Sequence, residues 1–310
     1  MPCKLMQIWV LLGFIMATPA GAVTPQGGSV EPIVLRVGPD REIKTMSAAA
    51  KLAGNHTIIE VDAGEYAGDV AVWSQEQLLL RAVGGRVKLV AAGASAEGKA
   101  IWVIRGGRVS VEGFDFSGTR VPSKNGAGIR FEKGQLTVRD CTFTNNENGI
   151  LTGNSPELEL RIENSEFGFN GHGDGQSHNL YAGTIAHLSV TGSYFHHAKV
   201  GHLLKSRAAI NYIVNNRLTD EAGGTASYEL EFPNGGVAYV VDNVIAQSTT
   251  TENPHLISFG VEGYKWPRNE LYLHNNTLIN PLPDGVLLRV SPGADTVQSF
   301  GNVRVGSGKL

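Results

Sequence analysis

The sequence is short of cysteine. Its 310 residues contain two, Cys3 and Cys141. Cys3 lies in a stretch that reads as a secretory signal. Lys4 is the only charge in residues 1–22, IWVLLGFIMA is an apolar run, and AGA at 20–22 offers a small-residue cleavage site. Removal near Ala22 leaves Cys141 alone, so no intrachain disulfide is expected in this exported, secreted or periplasmic chain. The apolar run is too short to read as a membrane span, so no membrane insertion is expected after cleavage. A surplus of one charge is also missing. Lys and Arg number 26 against 29 Asp and Glu, a formal net charge of −3, which argues against nucleic acid or an anionic membrane as partner. Stability must therefore come from a packed core, which a chain of this length can bury.

What the sequence has is a repeat. Apolar, any, turn-former, any, any, apolar recurs as VEGFDF (111–116), VRDCTF (138–143), IENSEF (162–167), VTGSYF (190–195), IVNNRL (213–218), VVDNVI (240–245) and LHNNTL (273–278). The third position is always Gly, Asn or Asp, residues that tolerate left-handed backbone. The sixth is Phe116, Phe143, Phe167, Phe195, Leu218, Ile245 and Leu278, at intervals of 27, 24, 28, 23, 27 and 33 residues. A second short strand follows each turn: GIRF (128–131), GILT (149–152), NLYA (179–182), HLLK (202–205), YELE (228–231) and LISF (256–259). Short strands with a bend in every repeat suit a solenoid. Near the start, IKTMSAAAKLAG (43–54) has the pattern of an amphipathic helix.

The period, the bends and the stacked apolar positions resemble the right-handed parallel β-helix of the pectate-lyase-like superfamily, from about residue 33 onward. That implies an all-β fold. It would be a single-domain solenoid over 23–310, behind the 1–22 signal, with a short N-terminal helix capping an otherwise unpaired edge. The repeated Asn residues are expected to bend the chain and satisfy backbone.

Six of nine histidines fall between 172 and 202: His172, His178, His187, His196, His197 and His202. The candidate site is therefore sought on these coils. Strand side chains alternate faces. If Leu180, Ala182, Leu204, Tyr228 and Leu230 point inward, then Tyr181, Leu203 and Glu229 form one outward column. Gly183, Lys205 and Glu231 form the next, with Arg207 beyond. Tyr181 and Lys205 would be diagonal neighbours, and His202 would turn inward. His178 shares inward parity, and reaches the groove only if the strand starts after it. Such a groove suits a polysaccharide. β-Elimination of a uronate chain needs a cation for the carboxylate, a base for the C5 proton and an acid for the leaving oxygen.

LLKSRAAINYIVNNRL (203–218) and ELEFPNGGVAYVVDNVI (229–245) resemble the core of the chondroitinase B and alginate lyase β-helix family. The resemblance covers about forty residues and implies a lysine base at Lys205. The arginine which that family carries on the next coil is not matched, because Glu231 falls near its place. A carboxylate beside Lys205 spoils it as a base. Two readings follow. Glu229 and Glu231 hold Ca²⁺, with Tyr181 or His178 as base and Lys205 and Arg207 on the substrate carboxylate. Or Lys205 and Glu231 are a surface ion pair, worth little.

Candidate sugar-binding residues are His202, His172 in GHGDG (171–175), and Trp266 and Arg268 in YKWPRN (264–269), the last two in what is otherwise an ordinary loop. HHAKVGH (196–202) lacks regular zinc spacing. The expected function is a lyase acting on acidic polysaccharide, as a monomer. The alternatives are a non-catalytic glycan-binding or cell-surface assembly β-helix, or a hydrolase using Glu229 and Glu231, some 6.5–7 Å apart by strand rise.

Overall fold

The computed structural model describes residues 32–251 and 253–306. The signal-like stretch 1–22 lies outside the described residues. The chain winds as a right-handed parallel β-helix of about ten coils. From Arg108 to Val290 each coil contributes a strand to each of three faces. One coil runs through Ile185–Thr191 on the first face, Tyr194–His196 on the second and Leu204–Ser206 on the third. The pairings of these strands with neighbouring coils are all parallel. Two long strands near the start, Thr57–Ala67 and Gln77–Val90, bend between the first two faces and join them into one 19-stranded sheet. The third face is a separate sheet of nine strands.

The repeat explains the corner between the first and second faces. Gly113, Asp140, Asn164, Gly192, Asn215, Asp242 and Asn275 all have positive φ, from 47° to 84°. That left-handed step is costly for most residues and mild for Gly, Asn and Asp. From Asn164 onward the residue after it stacks into a polar ladder. Ser165 N–H donates to Ser193 Oγ (3.1 Å), Ser193 N–H to Asn216 Oδ1 (2.9 Å), and Asn216 N–H to Asn243 Oδ1 (2.8 Å). Asn243 and Asn276 continue it to Asn302. Backbone donors left over at a buried corner thus find partners on the next coil.

The sixth repeat position lies inside. Phe116, Phe143, Phe167, Phe195, Leu218, Ile245 and Leu278 pair in register from coil to coil, and all are fully buried. The four Phe rings stack at 4.9, 4.7 and 4.6 Å. Phe167→Ala is expected to cost about 3–5 kcal/mol, since it removes a ring packed on both sides and leaves a cavity. Denaturant titration measures this, and a loss below about 1 kcal/mol would contradict the packing role.

A helix, Met46–Leu52, covers the first coil and buries Met46 and Ala49. Both its ends are satisfied. The Thr45 side chain accepts from Ala48 N–H, and Asp69 accepts from the N–H groups of Met46 and Ser47. At the other end, Gln75 donates to the carbonyls of Ala50 and Ala53.

Candidate active site

All six second strands fall on the third face, at Ala127–Phe131, Asn148–Thr152, Leu180–Ala182, Leu204–Ser206, Leu230–Phe232 and His255–Phe259. Leu180, Leu204, Leu230 and Ile257 form its inner column. The alternate row runs Tyr181, Lys205, Glu231, Ser258 and Arg289. Tyr181 is thus the direct neighbour of Lys205, not a diagonal one. Leu203 and Glu229 do not face outward, for both are fully buried. The strands begin at Leu204 and Leu230, so the residues just before them turn the corner and strand alternation does not extend back to them.

Lys205 is the hub of a partly buried ion network. Its Nζ lies 2.9 Å from Glu231 Oε2 and 3.2 Å from Glu262 Oε1. Arg207 contacts Glu262 through Nη1 (2.7 Å) and Nη2 (2.9 Å), and its Nε donates to the Tyr181 hydroxyl at 2.9 Å. Asn234 accepts from the same guanidinium, and the Trp266 indole N–H donates to the Arg207 carbonyl (3.1 Å). The side chains of Lys205 and Glu231 are 12% and 4% exposed, so this is not the surface ion pair of the second sequence reading. Burial pushes the Glu231 carboxyl up, but His202 and Lys205 outweigh it and hold the group below its ordinary range. The hydrogen bond from Arg207 holds Glu262 at about 2.

His202 does not turn inward among the apolar groups. Its Nε2 lies 3.0 Å from Glu231 Oε2, and its ring stacks on His178 at 4.5 Å. Each of the two rings accepts a backbone N–H at Nδ1: His178 from His202 (2.9 Å) and His202 from Tyr228 (3.3 Å). A neutral ring of this kind carries its proton on Nε2. His178 precedes its strand, as it must to reach the site, and its ring meets the edge of Tyr181 at 5.2 Å. It is 2% exposed, however, and burial, with the nearby cations, pushes it far below the usual imidazole value. It packs and orients Tyr181 but has no access to a substrate. Tyr181 is half-buried, and its O–H has no acceptor among the described residues.

Two hollows flank this network. One, of about 440 Å³, is lined by Tyr181, Arg130, Asn148, Thr152 and Gln176. The other, of about 580 Å³, is lined by His202, Ser227, Asn253, His255 and Arg289. Together they give room on both sides of Tyr181 and Lys205 for more than one sugar ring.

Other candidates lie elsewhere. His172 sits in a separate loop, 3.6 Å from Glu147 of the preceding coil, and Arg268 is spent on a bidentate pair with Glu270. His196 and His197 contact one another (2.8 Å), with His196 also on Glu166, so they do not converge with His202 on a metal. Glu229 and Glu231 share no partner. Burial, with Asp220 nearby, pushes Glu229 well above the carboxylate range, while Glu231 is occupied by His202 and Lys205. An enclosed carboxyl whose charged form burial disfavours, beside a doubly paired one, does not fit Ca²⁺, nor the paired carboxylates of a hydrolase. Among the described residues no group of three or more His, Cys, Asp or Glu side chains is placed to hold a metal. Sequence reasoning missed Glu262 and Asn234. The one signal for Glu262 was the longest repeat interval, 33 residues, in which its loop is the excess.

No protein-family profile matches the sequence, and no curated protein matches it. Similar solved structures include a PL6 family alginate lyase, with TM-score 0.48 and 15% identity over 90% of this chain and 40% of that one. Another is the ORF18 protein of Geobacillus virus E2, with TM-score 0.47 and 15% identity over 81% of this chain and 52% of that one. A third is a pectin methylesterase mutant in complex with a hexasaccharide, with TM-score 0.45 and 10% identity over 85% of this chain and 92% of that one. The chain thus spans about half the length of the viral protein and less than half that of the lyase.

Proposed function

We propose that the third face binds an acidic polysaccharide and cleaves it by β-elimination at Tyr181. The observation that carries this is one constellation: a tyrosine hydroxyl with no acceptor for its proton, held by Arg207 Nε, with Lys205 Nζ 5.9 Å from its ring centroid. Lys205 and Arg207 stabilise the charge that builds on a uronate carboxylate as its C5 proton leaves. The reaction starts from the Tyr181 phenolate, its own proton already given up to solvent, and that oxygen takes the C5 proton. The C4–O4 bond breaks, C4=C5 forms, and the phenol returns the proton to O4, so no water is consumed. Negative charge on the Tyr181 oxygen falls beside the fixed guanidinium of Arg207, and the neutral His178 keeps the ring in place. Export, as residues 1–22 suggest, would bring the protein to such polymers.

A second reading has its own support. Each cation of the network already has a carboxylate partner, as expected of a glycan-binding surface without catalysis. The two readings part on one experiment. Incubation with a panel of uronate polymers is expected to give new ultraviolet absorbance from unsaturated ends. Tyr181→Phe is expected to lower that rate by about 10²–10⁴-fold with the melting temperature little changed. Binding without absorbance would leave the glycan-binding reading, and full activity in Tyr181→Phe would move the chemistry elsewhere.

A further inference from the structure

Glu262 stands apart from the rest of the network. Lys205, Arg207, Tyr181 and Glu231 project from the third face or its edge, whereas Glu262 comes from the ten-residue connection 260–269. Its side chain is 42% exposed, against 12% for Lys205 and 16% for Arg207. Its two oxygens take both terminal nitrogens of Arg207 and the Lys205 ammonium, the fork-and-point arrangement that recognises a free carboxylate.

The cations do not depend on it for position. Lys205 keeps Glu231, and Arg207 keeps the Tyr181 hydroxyl and Asn234. The loop does not depend on that side chain either. Glu262 N–H donates to the Pro233 carbonyl (2.9 Å), and Lys265 N–H to that of Asn234 (3.1 Å). Asn234 Nδ2 donates to the Gly263 carbonyl (3.1 Å) and Tyr264 Oη to that of Ser291 (2.7 Å). A change of side-chain rotamer therefore suffices to free the clamp, with backbone and strand positions retained. With Glu262 in place, Lys205, Arg207, Glu231 and Glu262 sum to zero formal charge. With Glu262 swung out, the remaining three carry one positive charge beside Tyr181.

We infer that Glu262 is a resident stand-in for the substrate carboxylate, displaced when one uronate unit of an acidic glycan binds. The inference rests on the proposed function and adds a specificity rule. Only a ligand unit that brings its own carboxylate restores the charge balance, so neutral or methyl-esterified units are rejected by competition with Glu262. The substrate class is thus a glycan with a free carboxylate at the reacting ring.

The test uses calorimetric titration of the unaltered protein, Glu262→Gln and Glu262→Ala with hexamers of alginate, polygalacturonate and methyl-esterified polygalacturonate. Both variants are expected to bind an acidic hexamer at least about tenfold more tightly, as fits one carboxylate competitor removed from a partly enclosed cation pair. The methyl-esterified hexamer is expected to gain no more than the acidic one. Melting curves establish that the variants fold, and Gln retains a hydrogen-bonding side chain of the same length. Equal or weaker binding of an acidic hexamer that the unaltered protein does bind would overturn the inference and leave the proposed function standing. Failure of all three proteins to bind any acidic hexamer would overturn both.

Discussion

Lys205→Ala is expected to lower turnover by at least about 100-fold and also to destabilise the protein by about 3–5 kcal/mol. The first effect follows from its place beside Tyr181, where charge on the substrate carboxylate builds. The second follows from burial. Glu231 is 4% exposed and would keep only His202 as a partner. A buried carboxylate stripped of its cation is far costlier than a broken surface pair, whose contribution is about 1 kcal/mol or less. The two effects separate in the double variant Lys205→Met with Glu231→Gln, which removes the stranded charge. It is expected to regain most of the stability measured by denaturant titration and none of the activity. A double variant as unstable as Lys205→Ala would show that Lys205 supports the fold by other means. Wild-type turnover in Lys205→Ala would remove it from the reaction.

The largest pH effect is expected from a place the reaction does not use. Asp220 and Glu229 are both fully buried. Asp220 Oδ2 accepts from Ala226 N–H at 2.7 Å, but its Oδ1 and both Glu229 oxygens have no hydrogen-bond partner among the described residues. Burial pushes Asp220 up to about 7 and, with Asp220 nearby, Glu229 well above its ordinary value. In the unfolded chain both titrate near 4. Between those values the folded protein holds more protons than the unfolded one, so stability falls as pH rises. The contribution is fully present below about pH 4 and is lost as pH climbs toward 7. For Asp220 alone the rise to about 7 corresponds to roughly 4 kcal/mol. Glu262 and Glu231 act in the opposite sense, since their depressed values remove stability as pH drops below about 4. The melting temperature is thus expected to peak at mildly acid pH and decline steadily from pH 5 to 8. Asp220→Asn combined with Glu229→Gln is expected to flatten the decline. A flat wild-type profile over that range, or an unchanged slope in the double variant, would count against the assignment.

The fold was legible because its signals are local and repeated. A turn-former at the third position and an apolar residue at the sixth recur in seven segments, and each recurrence reports the same left-handed step and the same inward side chain. The second strands were legible for the same reason. The site was legible only in part. Lys205, Arg207, Tyr181, Glu231, His202 and Trp266 do come together. Their mutual geometry depended on where each strand begins, and a one- or two-residue corner changes which side chains are neighbours. Glu229 and Glu231 look alike two positions apart in sequence, yet one is sealed in the interior and the other pairs with Lys205 and His202. Glu262 left no sign beyond the one long repeat interval, for it reaches Lys205 across 57 residues from a segment without periodicity.

The connection that carries Glu262 and Trp266 has a consequence for how such a protein diversifies. On the preceding coil the third and first faces are joined by four residues, 233–236, and on this one by ten, 260–269. The flanking strands keep the same register in both cases. Extra length at this corner therefore leaves the strand register unchanged, while Tyr264, packed on the core, and Asn269, which accepts from Gly236 N–H, anchor it to the frame. Exchanging the residues between these anchors, with Tyr264 and Asn269 kept, would change the groups presented to the groove while the strand register stayed as it is. Part of the ligand preference is in this way carried by a stretch whose length the strand register does not fix, and that part can drift without moving the strands.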